Sequence, residues 1–429
     1  MAARPNIVHI ICHDLGRHLR CYGRPDVASP NLDRLAAEGV RFANCFTPSP
    51  PCSPARGCMM TGRYAHSNGQ IGLTHRGFPL PDGEQTIVDY LNDAGYVTAH
   101  IGFQHERQER SQNRYQRYGP DDGDCEAAAR AAGDFLADSR GTDAPFYLNV
   151  GFNEVHLPFT REVYSPDDPA RVSVPGWLPD NVGVREELGR FNGAIRWMDE
   201  AVGTIIDAVH GAGRDHDTVV LFTTDHGMAF PRAKGMLYDA GIGVALIARL
   251  PERVGRNGYA VGELISTIDI APTLVELAGA PIPRAVQGQS FLGLLAGGSY
   301  EPNKRVFAEK NYHDCYDPIR AVRTPRYNYI RNFESRRKII LSSDLKVSSA
   351  SAEMWPWANE PRDAEELYDL RADPAEMRNL AASPGMEYVK AELSAHLRDW
   401  MESTDDPLLR GPIPAPPGAR VSPIDWPVK

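Results

Sequence analysis

The run Ile7-Val8-His9-Ile10-Ile11-Cys12, followed at once by His13-Asp14-Leu15-Gly16, decides how the chain is read. Its mostly apolar, largely β-branched residues suit a buried strand of a parallel sheet, and the polar pair after it places chemistry at the strand's C-terminal edge. Further runs of this kind are Val97–Ile101, Phe146–Val150, Thr218–Phe222 and Val244–Ile247. Helical patterns lie between them, at Ser29–Glu38 before Gly39, at Gln85–Ala94 before Gly95, and at Glu187–Val209. This alternation predicts an α/β fold, a large mostly parallel sheet sandwiched by helices.

After a helix over Thr267–Ala278, closed by Gly279, the character changes to prolines, turns and short strand-like runs at Arg305–Ala308 and Tyr327–Ile330. The expected organisation is a catalytic α/β domain over 1–300 and a smaller α+β domain over 301–429. A last helix fits Glu387–Met401, and the proline-rich Pro412–Pro417 should lie extended on the surface.

The chain has 429 residues, of which 42% are hydrophobic and 24% charged, enough to bury a large core. Its net charge of −10 argues against a nucleic-acid or anionic-membrane partner, since both need clustered Lys and Arg. An anionic substrate must therefore be held by a local positive site. The N-terminal apolar run is too short for a signal peptide and no later run suits a membrane span, so a cytoplasmic protein is expected. Seven cysteines without a CxxC pair suggest reduced thiols. A homo-oligomer is compatible with all of this.

Three segments carry groups that bind metals or oxyanions. His13-Asp14 has a natural partner in Asp225-His226, after another apolar strand. Two carboxylates and two imidazoles from neighbouring strand ends could supply three or four ligands to one divalent cation. The third segment is Pro51-Cys52-Ser53-Pro54-Ala55-Arg56-Gly57-Cys58, where a Cys opening a helix would sit in a field that favours a thiolate or another anion.

Cys52-Ser53-Pro54-Ala55-Arg56 with Thr61-Gly62-Arg63 resembles the signature of the type I sulfatases, members of the alkaline-phosphatase-like superfamily. The resemblance extends to His13–Gly16, Ser29–Asp33, Gly39–Phe46, Asp225-His226-Gly227 and Glu366–Leu370. Gly69–Leu73, Phe152–His156 and Asp225–Pro231 are most similar to the heparan N-sulfatase, or sulfamidase, branch.

The resemblance implies that Cys52 is oxidised by a formylglycine-generating enzyme to formylglycine, whose geminal diol attacks sulfur. Carried over by position, Arg56 stabilises that hydrate, while Asp14, Asp225, His226 and His13 occupy metal-ligand positions. His105 would assist the nucleophile or sulfate expulsion, and His156 would protonate the leaving group. A sulfuryl transition state gathers negative charge, which Arg56, Lys234 and the metal are placed to meet. Arg63, His75, His313 and Arg320 are candidate contacts to a small anionic substrate, sulfated or phosphorylated. Trp177, Trp355 and Trp357 could stack on a sugar or aryl group, although core or domain packing is the commoner fate.

Three positions depart from the family pattern. His13-Asp14 and Asp225-His226 replace an oxygen-rich set suited to calcium, so manganese, zinc or iron comes into question. Phe103 stands where the family usually has a sulfate-binding Lys, a charge that Lys234 or Arg63 would have to supply. The expected activity is hydrolysis of a sulfate ester or sulfamate. The Asp-His pair also resembles phosphonate monoester and phosphodiester hydrolases of the same superfamily, and the altered residues leave room for an inactive binding homologue.

Overall fold

The computed structural model describes residues 4–121 and 124–424, apart from the side chains at 353–355 and 357. Nine strands form one sheet: β1 (Asn6–Cys12), β2 (Val40–Phe46), β3 (Val97–Gly102), β4 (Arg117–Tyr118), β5 (Phe146–Gly151), β6 (Thr218–Thr224), β7 (Gly243–Val244), β8 (Leu246–Arg249) and β9 (Tyr259–Ser266). Their order is β4-β3-β5-β1-β6-β8-β2, with β7 and β9 also paired to β2. The central strand β1 is parallel to both its neighbours, β5 and β6.

Side chains alternate across β1 as the pleat requires: Val8, Ile10 and Cys12 enter the core on one face, Ile7 and Ile11 that on the other. The helices Cys125–Asp138 and Val182–Gly211 cover the first face, and Cys52–Thr61, Ile87–Asp93 and Ile270–Leu277 the second. The expected three-layer α/β architecture is what the chain adopts. Among the described residues no helix is long and apolar enough to cross a membrane.

One strand differs from expectation. Val244–Ile247 is split at Ala245 into β7 and β8, and both run antiparallel to their neighbours. A parallel return needs a long crossover. Here the chain between Thr224 and Gly243 forms a loop with a single four-residue helix, and Ala245 N donates instead to Gly16 O at 2.9 Å.

A second, antiparallel sheet consists of β10 (Val306–Tyr312), β11 (Tyr316–Arg323), β12 (Tyr327–Asn332) and β13 (Glu365–Asp369). The helix Glu387–Ser403 packs Leu393, Leu397, Trp400 and Met401 against it. β11 has no apolar signature because it buries charge: Asp317 meets Lys310 at 2.9 Å and Arg362 at 2.5 Å. The proline-rich tail is anchored as well as extended. Tyr312 Oη donates to Ile413 O at 2.6 Å, Arg420 N to Arg76 O at 2.7 Å and Ser422 N to Asp314 O at 2.7 Å.

Buried polar contacts join the second sheet to the first layer. Glu309 lies 2.8 Å from His66 Nδ1 and 3.6 Å from Arg320, with no exposed surface. Burial alone would raise its carboxyl, but the His66 and Arg320 charges hold it well below the usual range. A depressed carboxylate contributes stability above its unfolded pKa, near 4.5, and loses it as pH falls toward the folded value. Glu309→Gln should therefore destabilise the protein by about 3 kcal/mol at pH 6. In urea unfolding, the deficit should shrink progressively as the pH is taken below 4.5.

Candidate active site

Parallel register builds the first half of the site. Cys12 of β1 pairs with Thr224 of β6, so the turns that follow bring Asp14 and Asp225 side by side. Asp14 N donates to Asp225 Oδ1 at 3.0 Å, and Asp14 holds φ at +55°, a strained value that turns its side chain out of the strand line. The two loops touch through glycines. Gly16 N donates to His226 O at 2.9 Å, and a Cβ on Gly227 would lie 2.0 Å from Ala240 O, so no larger residue fits.

Cys52 is the first residue of the buried helix Cys52–Thr61 and presents Sγ 3.2 Å from His226 Nε2. Arg56, one turn on, donates from Nε to Asp225 Oδ2 and from a terminal nitrogen to Cys12 O, each at 3.2 Å. Its guanidinium lies 5.0 Å from the centre of the Phe103 ring. The helix N-terminus does not make Cys52 a thiolate: burial raises its pKa, and Asp14 and Asp225 add to the rise against Lys234.

His226 Nδ1 lies 2.9 Å from Gly227 O, which can only accept, so a ring proton sits there and, in the neutral ring, Nε2 carries a lone pair. That lone pair is 3.1 Å from Asp14 Oδ1. His13 likewise donates from Nδ1 to Asp14 at 2.8 Å and turns Nε2 toward Asp225 Oδ2 at 3.5 Å. Lone pairs pointed at carboxylate oxygens repel unless a cation lies between them. Ligand atoms of His13, Asp14, Cys52, Asp225 and His226 all lie within 4.8 Å of one another, a mixed nitrogen, oxygen and sulfur set that fits a divalent cation.

Lys234 forms the second centre. Its ammonium donates to Asp14 Oδ2 at 2.6 Å and Asp344 Oδ2 at 2.5 Å, and it lies 3.1 Å from His156 Nε2. Burial opposes the charge, but Asp14, Cys52 and Asp344 raise the Lys234 pKa well above its ordinary value. His156 turns Nδ1 onto Leu157 O at 2.6 Å, leaving Nε2 to face the cluster, 3.3 Å from Asp344. Burial and Lys234 lower its pKa; Asp14 and Asp344 outweigh them and raise it.

The remaining candidates divide. His105 lies beside His13 and Phe103, with Nε2 3.1 Å from His75 Nδ1, and burial pushes its pKa far down. His313, at the β10–β11 turn, bonds Asp314 at 3.2 Å and feels the charges of Asp344 and Lys234. Arg63 and Arg320 are not brought to the site. Arg63 follows the far end of the Cys52 helix, about 15 Å along its axis, and binds Glu84 at 2.6 and 2.7 Å. Arg320 is fully buried against Asp406 at 2.6 Å. Arg63 thus does not replace the charge missing at Phe103; Lys234 is the cation at hand. The Trp355 and Trp357 side chains lie outside the described residues.

Asp344 was not foreseen. It comes from the loop after the second sheet's third strand, in Ser342-Ser343-Asp344, and caps a short helical turn through Leu345 N at 3.0 Å. An acid in a serine-rich loop has no sequence signal beyond capping.

A family model described as Sulfatase matches residues 5–280, and one described as N-sulphoglucosamine sulphohydrolase, C-terminal, matches 226–351. N-sulphoglucosamine sulphohydrolase of Homo sapiens is 27% identical over 470 residues, covering 96% of this chain and 92% of its own. An ulvan-active sulfatase of Formosa agariphila is 26% identical over 472 residues, covering 94% and 76%. The crystal structure of the phosphonate monoester hydrolase of Agrobacterium radiobacter superposes with a TM-score of 0.74 at 20% identity, covering 96% and 100%.

The donor set predicts that the purified protein holds about one divalent ion per chain. Elemental analysis of folded Asp14→Asn and Asp225→Asn protein should find less than roughly a tenth of that content, the loss expected when one of few charged ligands goes. Arg63→Gln should leave both metal content and turnover unchanged.

Proposed function

Because the chain belongs to the sulfatase family, we propose that it hydrolyses a sulfate ester or sulfamate of a small substrate, with a formylglycine made from Cys52 and one divalent cation. One observation carries the reading: the cysteine of the Cys-x-Pro-x-Arg signature faces His226 Nε2 at 3.2 Å, inside the cluster that fits a cation. In this mechanism the formylglycine supplies a geminal diol as nucleophile and the cation supplies positive charge to the sulfuryl oxygens. The sulfamidase relative supports sulfamates within the substrate class.

The chain's own residues take the remaining roles. Asp14, Asp225 and His226 hold the cation, with His13 as the fourth group. Arg56 fixes Asp225 and the start of the helix that carries Cys52. Lys234 receives a sulfuryl oxygen by exchanging one of its two carboxylate partners, and Asp344, exposed at 21% where Asp14 is fully buried, is the one to yield. His156, with Nε2 toward the cluster, gives its proton to the departing oxygen or nitrogen. His105 serves proton transfer at the nucleophile, and His75 and His313 line the approach. Residues 1–300 act as the catalytic unit and 301–429 as the smaller one, a division supported by sheets that lie at 6–266 and 306–369.

A second reading, a phosphonate monoester or phosphodiester hydrolase with the same site, is favoured by Asp225-His226 and by Phe103, and has support from the shared fold. Peptide mass spectrometry on protein from its native host should find Cys52 as the aldehyde or its hydrate; a plain thiol with undiminished turnover would reject the diol mechanism. Matched aryl sulfate, sulfamate, phosphodiester and phosphonate substrates should rank with sulfur first, and a preference of orders of magnitude for phosphorus would select the second reading. Absence of metal and of all turnover would mark an inactive homologue. His156→Gln should slow a poor leaving group by about 10²-fold and an activated aryl ester far less, the pattern of a general acid.

A further inference from the structure

Of the three carboxylates in the catalytic cluster, Asp344 is the one that meets solvent, while Asp14 and Asp225 have no exposed surface. His156 stands beside it, with Nε2 3.3 Å from Asp344 Oδ2, and is exposed to a similar degree. Lys234 is buried behind the two, and its ammonium is 2.5 Å from Asp344 Oδ2. An anion's oxygen that accepts from Lys234 at about 2.9 Å therefore lies within roughly 5.4 Å of the Asp344 carboxylate.

That negative charge is anchored. Asp344 Oδ1 accepts from Leu345 N at 3.0 Å, and the preceding Ser343 donates N and Oγ to the Asp314 carboxylate at 2.6 and 3.0 Å. Asp314 is held in turn by Arg76 at 3.0 Å and His313 at 3.2 Å. Burial opposes the charge on Asp344, but Lys234, His156 and His313 hold its carboxyl far below the usual range. Asp344 can thus give up its hydrogen bond to Lys234 without leaving the wall of the site. Phe103, 5.0 Å from the Arg56 guanidinium, adds no charge to offset it.

We propose that Asp344 selects substrates by charge, admitting singly charged oxyanion esters to Lys234 and turning away doubly charged ones such as phosphate monoesters. A sulfate ester, a sulfamate, a phosphodiester and a phosphonate monoester each carry one negative charge, whereas a phosphate monoester carries nearly two at neutral pH. Repulsion from one fixed carboxylate is twice as large for the second class as for the first. Rejection by a like charge is a common route to specificity. The inference deepens the hydrolytic reading and rests on it for the role in catalysis, while the charge preference itself is a property of binding.

Benzenesulfonate and phenylphosphonate test it, since they have nearly the same shape, hold no ester bond to break and, at about pH 9, carry one and two charges respectively. In calorimetric titration of the full chain with its divalent ion, the wild type should bind benzenesulfonate the more tightly. Asp344→Asn should tighten phenylphosphonate by about tenfold and benzenesulfonate by only about threefold, half the effect in free energy. Asp344→Ser, which can still cap Leu345 N, should give the same unequal gains, so a failure of one variant to fold does not hide the result. Asp344→Glu should keep the wild-type order, and Lys234→Ala should weaken both ligands, which places them at the cluster. The proposal is overturned if the wild type prefers the dianion, if removal of the charge benefits both ligands equally, or if Lys234→Ala changes the binding of neither. A plain thiol at Cys52 or a lack of turnover would instead count against the hydrolytic reading and leave the binding comparison intact.

Discussion

Two carboxylates, Asp14 and Asp225, are buried side by side at the ends of β1 and β6, and the rest of the site answers that fact. Each would be strongly unfavourable alone, because an ion loses its hydration on burial. Backbone and side-chain donors converge on them: Asp14 N and Arg56 on Asp225, His13 and Lys234 on Asp14. With Asp344 included, three carboxylates face two permanent cations, Lys234 and Arg56. The unmatched negative charge and the lone pairs of His226 and His13 make a divalent cation the natural completion of the cluster.

The second sheet completes the site and does not merely cover it. His313 comes from its first turn and Asp344 from a later loop, and Asp344 ties Lys234 to His156. The same sheet is held to the first layer by buried charge, with Glu309 between His66 and Arg320. Such pairs tolerate little displacement, since a separated partner would remain desolvated. The tail adds a further tie: Arg420 and Ser422 bond Arg76 and Asp314 next to His75 and His313, at the rim of the site.

Sequence and structure agree where hydrophobic periodicity is strong. The central parallel strands and the long helices were legible because both faces of β1, β5 and β6 are buried, which makes near-continuous apolar runs. Agreement fails where burial is achieved by pairing charges. β11, with Asp317 and Arg320 inside, reads as polar, and β13 likewise carries Glu366, bound to Tyr238 and Tyr368. Arg63 and Arg320 were candidates because they are cations near the motif or in the second domain. Each is spent on a local carboxylate that the sequence does not mark.

By itself the sequence determined the alternating α/β plan, the signature around Cys52, and the acid-imidazole pairs at two strand ends, because these depend on local pattern and short spacing. Only the tertiary structure decided that Asp14 and Asp225 touch, that Lys234 rather than Arg63 is the available cation, and that Asp344 enters the site from a distant loop. Those outcomes depend on strand register and on which charges find partners when the sheets pack. Both are set by contacts between residues 21 to 211 positions apart, beyond the reach of a local pattern of sequence.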